Sequence, residues 1–225
     1  MQYFPVCLNI AGQRCLVVGA GAVGRRKVQN LLEYGAKDIL LLDDNTTADA
    51  QNEFSGNKNV NIEQRVFTAK DVDDKFLVFA CTDNHKTNSQ IGEICRQKGI
   101  LCNIATQPGQ GSFIQPAMLQ QGDLSITVSS NAKSPALVKK IKDSLRQSFG
   151  PEYKILIELL GRLRSQVLEL KEDSGYNKEI FDSLTENDIL EAIKDRDKKR
   201  LLVLIQQRTP SSMHSNLEEV LHDLF

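Results

Sequence analysis

A chain of 225 residues is long enough for one large domain, or for a main domain with an appendage. Its 40% hydrophobic residues, 14 glycines and 25% charged residues are those of a globular protein, which excludes disorder as the main theme. The 28 basic and 29 acidic side chains leave a net charge of −1, which supplies no bulk attraction for a polyanion, so no nucleic-acid partner is expected.

In chain order, strand-like apolar runs at Arg14–Val18, Asp38–Leu42, Asn61–Val66, Phe76–Cys81 and Leu101–Ala105 alternate with helical patterns near Val23–Tyr34 and Asn88–Lys98. Such alternation predicts an α/β fold with a Rossmann-type parallel sheet over residues 1–111. Pro108, Gly109 and Gly111 break the pattern. Ser112–Leu119 and Leu124–Ser130, separated by Gln120-Gln121-Gly122-Asp123, then read as a hairpin-like pair. Ser134-Pro135 opens a helix, with Ser as cap and Pro at the first helical position, completing a small α+β segment over 112–150. Residues 151–225 read as a helical C-terminal region, with Thr209–Ser215 a loose linker before a short last helix. Residues 1–150 carry 17 basic and 14 acidic groups, and 151–225 carry 11 and 15, so charge also divides the chain. No apolar run approaches the roughly 18 residues of a membrane span, and the start has no basic stretch leading into an apolar one; the expectation is a cytoplasmic protein without membrane contact. Five cysteines, an odd number without a CxxC pair, are expected to be reduced and mostly buried, with no metal cluster.

Gly19-Ala20-Gly21-Ala22-Val23-Gly24 is a full GxGxxG directly after a strand-like run and directly before an amphipathic helix. In that context the first glycine allows the tight turn, the second lets amides approach a pyrophosphate, and the third lets helix and strand pack closely. Asp43, 24 residues after Gly19 at the end of Ile39–Leu42, is placed to accept the ribose hydroxyls of NAD, and no Arg follows to welcome a 2′-phosphate. The expected cofactor contacts are Gly19, Gly21, Ala22, Val23, Gly24, Asp43, Asp44 and Thr82, and NAD is the expected cofactor. Arg25, Arg26 and Lys27 read as a solvated helix face, one of which could approach a phosphate.

The loop joins further motifs in order: Phe4-Pro5-Val6-Cys7-Leu8, Ala80-Cys81-Thr82-Asp83, Cys102-Asn103-Ile104, Ser112-Phe113-Ile114-Gln115-Pro116 and Ser129-Ser130-Asn131-Ala132-Lys133-Ser134-Pro135. Together they make the chain resemble, over roughly residues 1–150, the precorrin-2 dehydrogenase family, the module that also forms the dehydrogenase and ferrochelatase half of siroheme synthase. The resemblance implies an N-terminal NAD-binding domain, a dimerisation segment through the hairpin and following helix, and a helical C-terminal part, used to oxidise precorrin-2 to sirohydrochlorin. A homodimer is expected on a second ground, since the hairpin pair is too small to bury its apolar faces alone.

Residues 128–150 hold Lys133, Lys139, Lys140, Lys142 and Arg146 against Asp143, beside two serine hydroxyls and a helix N-terminus. Such a surface suits a porphyrinoid rich in carboxylates, so Ser129, Ser130, Lys133 and Ser134 are expected to bind substrate, with Asn103, Phe113 and Gln115 lining the cleft. One departure stands out. The family usually carries Asp four residues after the cysteine of the Cys-Asn segment, where this chain has Thr106. A threonine hydroxyl is not a comparable base at neutral pH, which argues against ferrochelatase activity. Thr106 itself, Asp83 and His85 are the candidate catalytic residues, the last two because they follow a strand end that opens on the cofactor crevice. Two other readings remain open: a non-catalytic NAD-sensing module, and a tetrapyrrole carrier that keeps the fold without the oxidation.

Overall fold

The structure is a computed structural model and describes residues 3–45 and 47–225. It divides into two compact units, Met1–Gln115 and Pro116–Phe225.

The first unit is built on β1 (Cys15–Val18), β2 (Ile39–Asp43), β3 (Val60–Gln64), β4 (Leu77–Ala80) and β5 (Leu101–Ile104), all parallel, in the order β3-β2-β1-β4-β5. The strands read as near-continuous apolar runs because both faces are covered; every residue of β1 and β4 is buried. Val17, Leu41 and Phe79 on one face pack with Val28 and Leu31 of α1 (Ala22–Glu33) and Phe54 of α2 (Ala48–Phe54). Leu16, Leu42 and Val78 on the other pack with Ile91 and Cys95 of α3 (His85–Lys98). The order reverses at β1, so the carboxyl ends of β1 and β4 flank the crevice where an open α/β sheet binds its ligand.

Ser112–Leu119 was expected to be one strand, and it is not. Ser112 to Phe113 instead clasp β5: Ser112 N donates to Cys102 O (2.8 Å), Ser112 Oγ accepts from Cys102 N (2.8 Å), and Asn103 Nδ2 donates to Phe113 O (3.0 Å). The clasp satisfies part of an edge strand that would otherwise lie open. The strand proper, β6 (Ala117–Gln121), pairs with β7 (Leu124–Val128) across a loop of Gly122 and Asp123.

The second unit continues from this hairpin into α4 (Pro135–Ser148). Ser134 caps it by accepting from Leu137 N (3.3 Å), as the sequence suggests. Then follow α5 (Glu152–Glu169), α6 (Ser174–Leu184), α7 (Asn187–Lys194), α8 (Lys198–Arg208) and α9 (Leu217–Val220). Their core gathers Leu159, Leu163, Leu184, Ile189, Ile193, Leu201 and Ile205 with Leu217, Leu221 and Leu224. The segment Thr209–Ser215 is not the loose linker expected from its Ser- and Pro-rich composition. Residues Ser211–Asn216 form a 3-10 turn, Met213 is 3% exposed within the core, and Thr209 Oγ1 donates to Ile205 O (2.8 Å).

Candidate functional site

β1 ends at Val18 and the chain turns sharply through the glycine loop. Gly19 has φ +107°, and a Cβ there would lie 2.6 Å from the carbonyl of Cys81, so both conformation and space demand glycine. At Gly24 a Cβ would lie 1.7 Å from Gly19 O, because the first turn of α1 packs directly on the loop. Gly21 differs: its φ of −65° is ordinary, and a Cβ would meet nothing within 4 Å. The loop is thus crowded toward the protein and open toward solvent. Gly21 is the N-cap of α1, no side chain caps the helix, and its first turn holds no acid, so its leading amides and the positive end of its dipole are available to an anion. These features fit the diphosphate of a dinucleotide, with Ala22 and Val23 in the first turn.

Asp43 closes β2 and reaches across to this loop, accepting from Ala20 N (2.6 Å) and Asn45 N (2.9 Å). A carboxylate offers about four acceptor positions, and the bonds among the described residues use two, which leaves room for ribose hydroxyls. Asp44 is exposed just beyond. The solvated face expected at Arg25–Lys27 holds only for Arg26. Arg25 donates to Ala20 O (3.1 Å) and ion-pairs with Asp49 (3.2 Å) and Glu53 (2.9 Å) of α2, while Lys27 is buried.

The ends of β4 and β5 are joined by a residue that the sequence reading did not single out. Asn88, wholly buried in the first turn of α3, donates through Nδ2 to Thr82 O (2.7 Å) and to Thr106 Oγ1 (3.1 Å), and its Oδ1 accepts from Thr82 Oγ1 (2.7 Å). Thr82 and Thr106 are therefore brought together, and the Thr106 hydroxyl keeps its proton free to donate. Asp83 and His85 lie beside them and are both exposed. The cap of α3 is Asn84, which accepts from Lys86 N (3.0 Å) and Thr87 N (3.2 Å).

On the other side of β4, Phe113 packs edge-on against Phe79 with ring centroids 5.6 Å apart. Lys27 stands over the Phe79 ring at 5.4 Å and donates to Gln115 Oε1. Asn103, Phe113 and Gln115 thus form one group, and Lys27 joins it. Burial lowers the Lys27 pKa, and burial pushes the nearby Cys81 thiol up to about 11, so Cys81 is protonated at neutral pH. All five cysteines are free; Cys7 is exposed, and Cys15, Cys95 and Cys102 are buried.

In the second unit, Ser129, Ser130, Lys133 and Ser134 share one tight turn. Ser129 Oγ accepts from Asn131 N (3.2 Å), Ser130 Oγ accepts from Ser134 N (3.0 Å), and Lys133 N donates to Ser130 O (3.0 Å). Asn131 and Ala132 take left-handed conformations, with φ of 52° and 62°. The Lys133 side chain is exposed, and no group of three or more His, Cys, Asp or Glu able to hold a metal ion occurs among the described residues.

A five-stranded parallel sheet with a glycine loop at its point of reversal defines a dinucleotide-binding protein of the Rossmann type. Residues 6–117 match the family described as "Putative NAD(P)-binding". The chain is 32% identical over 167 residues to a siroheme synthase of Nitrosococcus oceani, covering 74% of this chain and 35% of that one. It is 26% identical over 222 residues to siroheme synthase 2 of Klebsiella pneumoniae, covering 98% of this chain and 48% of that one. Among solved structures it matches SirC, a precorrin-2 dehydrogenase, with a TM-score of 0.75 and 21% identity over 92% of this chain and 98% of that one. The chain is a homologue of the siroheme synthases that carries an NAD(P)-binding domain and shares its fold with a precorrin-2 dehydrogenase. It spans about a third to a half of the length of these synthases.

Proposed function

We propose that the chain is an NAD-dependent oxidoreductase that converts precorrin-2 to sirohydrochlorin in siroheme synthesis. The observation that carries this reading is the glycine loop, closed toward the protein at Gly19 and Gly24 and open at Gly21, in a homologue of the siroheme synthases. The first-turn amides of α1 hold the diphosphate, and Asp43 holds the adenosine ribose while fixing the loop through Ala20 N. Arg25 is neutralised by Asp49 and Glu53, which leaves little to attract a 2′-phosphate and favours NAD over NADP. Bound NAD supplies the hydride acceptor. Thr82 and Thr106, locked together by Asn88, border the reacting end, and the proton leaves to solvent with exposed Asp83 and His85 at hand. Within the first unit, Asn103, Phe113 and Gln115 bind the tetrapyrrole; within the second, the turn of Ser129, Ser130, Lys133 and Ser134 offers donors suited to its carboxylates. Residues 1–111 serve the cofactor, 112–150 dimerisation and substrate, and 151–225 form the helical remainder. Free thiols agree with a cytoplasmic setting.

The test is to incubate the purified chain with NAD and precorrin-2 and follow NADH absorbance. NADH formed in step with loss of precorrin-2 is expected. NAD binding without tetrapyrrole binding would instead favour the sensing module, and tetrapyrrole binding without NAD reduction the carrier.

Metal insertion requires two ring protons to leave, and Thr106 offers no carboxylate to take them. Ferrochelatase activity is expected to be weak or absent, and Thr106→Asp is expected to raise it, because Asn88 Nδ2 can hold an introduced carboxylate as it holds the hydroxyl. Insertion of Fe²⁺ or Co²⁺ into sirohydrochlorin by the unsubstituted protein well above the spontaneous rate would refute this.

The expected dimer is supported by α4, which has no buried residue and leaves Leu137 52% and Ile141 39% exposed. Light scattering is expected to give roughly twice the 25.2 kDa chain mass. A monomer at micromolar concentration would exclude this arrangement.

A further inference from the structure

Lys27 occupies the sheet-facing side of α1 and is only 9% exposed. Burying an ammonium is unfavourable unless a counter-charge repays its lost hydration. No carboxylate pairs with Lys27 among the described residues. The nearest acids on α2, Asp49 and Glu53, are taken by Arg25, and Arg26 adds repulsion. What compensates the charge is one neutral amide oxygen, Gln115 Oε1, and the face of Phe79. Ammonium groups have three donors, so two are left by this arrangement. An apolar residue of similar length would pack against Phe79 at lower cost, so the charge is held against the stability of the unliganded fold.

The position of the charge indicates what it awaits. Gln115, its one hydrogen-bond partner among the described residues, is exposed, so the buried ammonium is joined to a solvent-facing side chain. Around it stand Cys81 at the end of β4 and the Phe79–Phe113 pair. The diphosphate has its own donors at the open side of Gly21, six residues earlier and about 9 Å along the helix axis. A second anion-binding group next to the same crevice belongs to a second acidic molecule.

We infer that Lys27 is a substrate-binding residue whose buried ammonium, presented through Gln115 and backed by Phe79, takes a carboxylate of the tetrapyrrole. The assignment rests on the oxidoreductase reading above. Substrate binding supplies the missing counter-charge, and the cost of burial before binding is returned as preference for a polyanionic ligand.

The experiment uses the whole chain and metal-free sirohydrochlorin, titrated by fluorescence quenching, with NAD affinity and ligand-free melting temperature measured in parallel. In Lys27→Met, sirohydrochlorin affinity is expected to fall about 10- to 100-fold, the range for losing a charge-assisted hydrogen bond. NAD affinity is expected to stay within about twofold, and the melting temperature to hold or rise, because an uncompensated charge has been removed. Lys27→Arg, which keeps the charge, is expected to recover part of the affinity. Unchanged sirohydrochlorin affinity in Lys27→Met overturns the inference and leaves the oxidoreductase reading standing. Loss of NAD affinity alone overturns it by assigning the ammonium to a cofactor phosphate. A lower melting temperature with loss of both ligands overturns it by marking a structural lysine. A wild-type chain that binds no tetrapyrrole overturns both the inference and the reading beneath it.

Discussion

Gly21 and Gly24 are three positions apart in one motif, yet the structure assigns them opposite sensitivities. Gly21→Val is expected to fold with an unchanged melting temperature and to lose NAD binding, since its Cβ enters open space on the ligand side. Gly24→Ala is expected to destabilise by more than about 4 kcal/mol, because its Cβ would overlap Gly19 O at 1.7 Å. Thermal melts with NAD titration on both variants check this, and equal stability of the two would contradict it. The loop and Asp43 were legible in the sequence because backbone approach to a phosphate leaves a spaced glycine signature. Asn88 was not singled out and Lys27 was read as part of a solvated helix face, for one shared reason. Buried positions 24, 27, 28 and 31 on α1, and 88, 91, 92 and 95 on α3, each follow the i, i+3, i+4, i+7 spacing of a core face. Each polar residue fills a slot where periodicity asks for an apolar one. The signal was there as a break in pattern, but the partners that explain it, Thr106 and Gln115, are 18 and 88 residues away.

Among the elements, legibility tracked length and burial. β1, β2, β4 and β5 were found to within a residue or two because a strand covered on both faces is an unbroken apolar run. α2 was missed because seven residues with only Ala50 and Phe54 buried make too short a period. The clasp at Ser112–Phe113 read as strand because Phe113 and Ile114 make a short apolar run, although it bonds to β5 through side chains as much as backbone. The connection from β3 to β4 turns on Arg65, which grips Asp71 with both terminal nitrogens (2.7 and 2.9 Å) and Glu63 through Nε (2.6 Å). The Arg65 hydrogen bonds hold the Asp71 carboxyl below its ordinary value, helped by the Thr68 amide and hydroxyl and opposed by burial. A folded-state pKa below the unfolded one contributes stability above the unfolded value, and that stability is lost as pH falls through the folded value. Asp71→Asn is therefore expected to flatten the loss of stability from about pH 5 downward, measured by urea unfolding across that range. An unaltered slope would show that the pair contributes nothing to acid sensitivity.

At the scale of the whole molecule, the parallel sheet and its strand reversal followed from alternating apolar runs, whereas the helical second unit was legible as helices without their arrangement. Amphipathic periods state which face is buried and not against what. One feature of that unit bears on time as well as on space. Its core draws on Leu156 at the start of α5 and on Leu217, Val220, Leu221 and Leu224 near the other end, and Arg162 of α5 donates to Val220 O (2.9 Å) and His222 O (2.7 Å). During synthesis α5 to α8 emerge with an apolar seam that has no cover until residues 217–224 follow, while the first unit already has every strand it needs. A ribosome-bound chain arrested with residue 216 exposed is expected to be protease-resistant over residues 3–115 and labile beyond, with resistance spreading once 224 is free. The unit that carries the cofactor loop would then be native for several seconds before its companion has a closed core, and the nascent chain's exposure to aggregation falls in that interval.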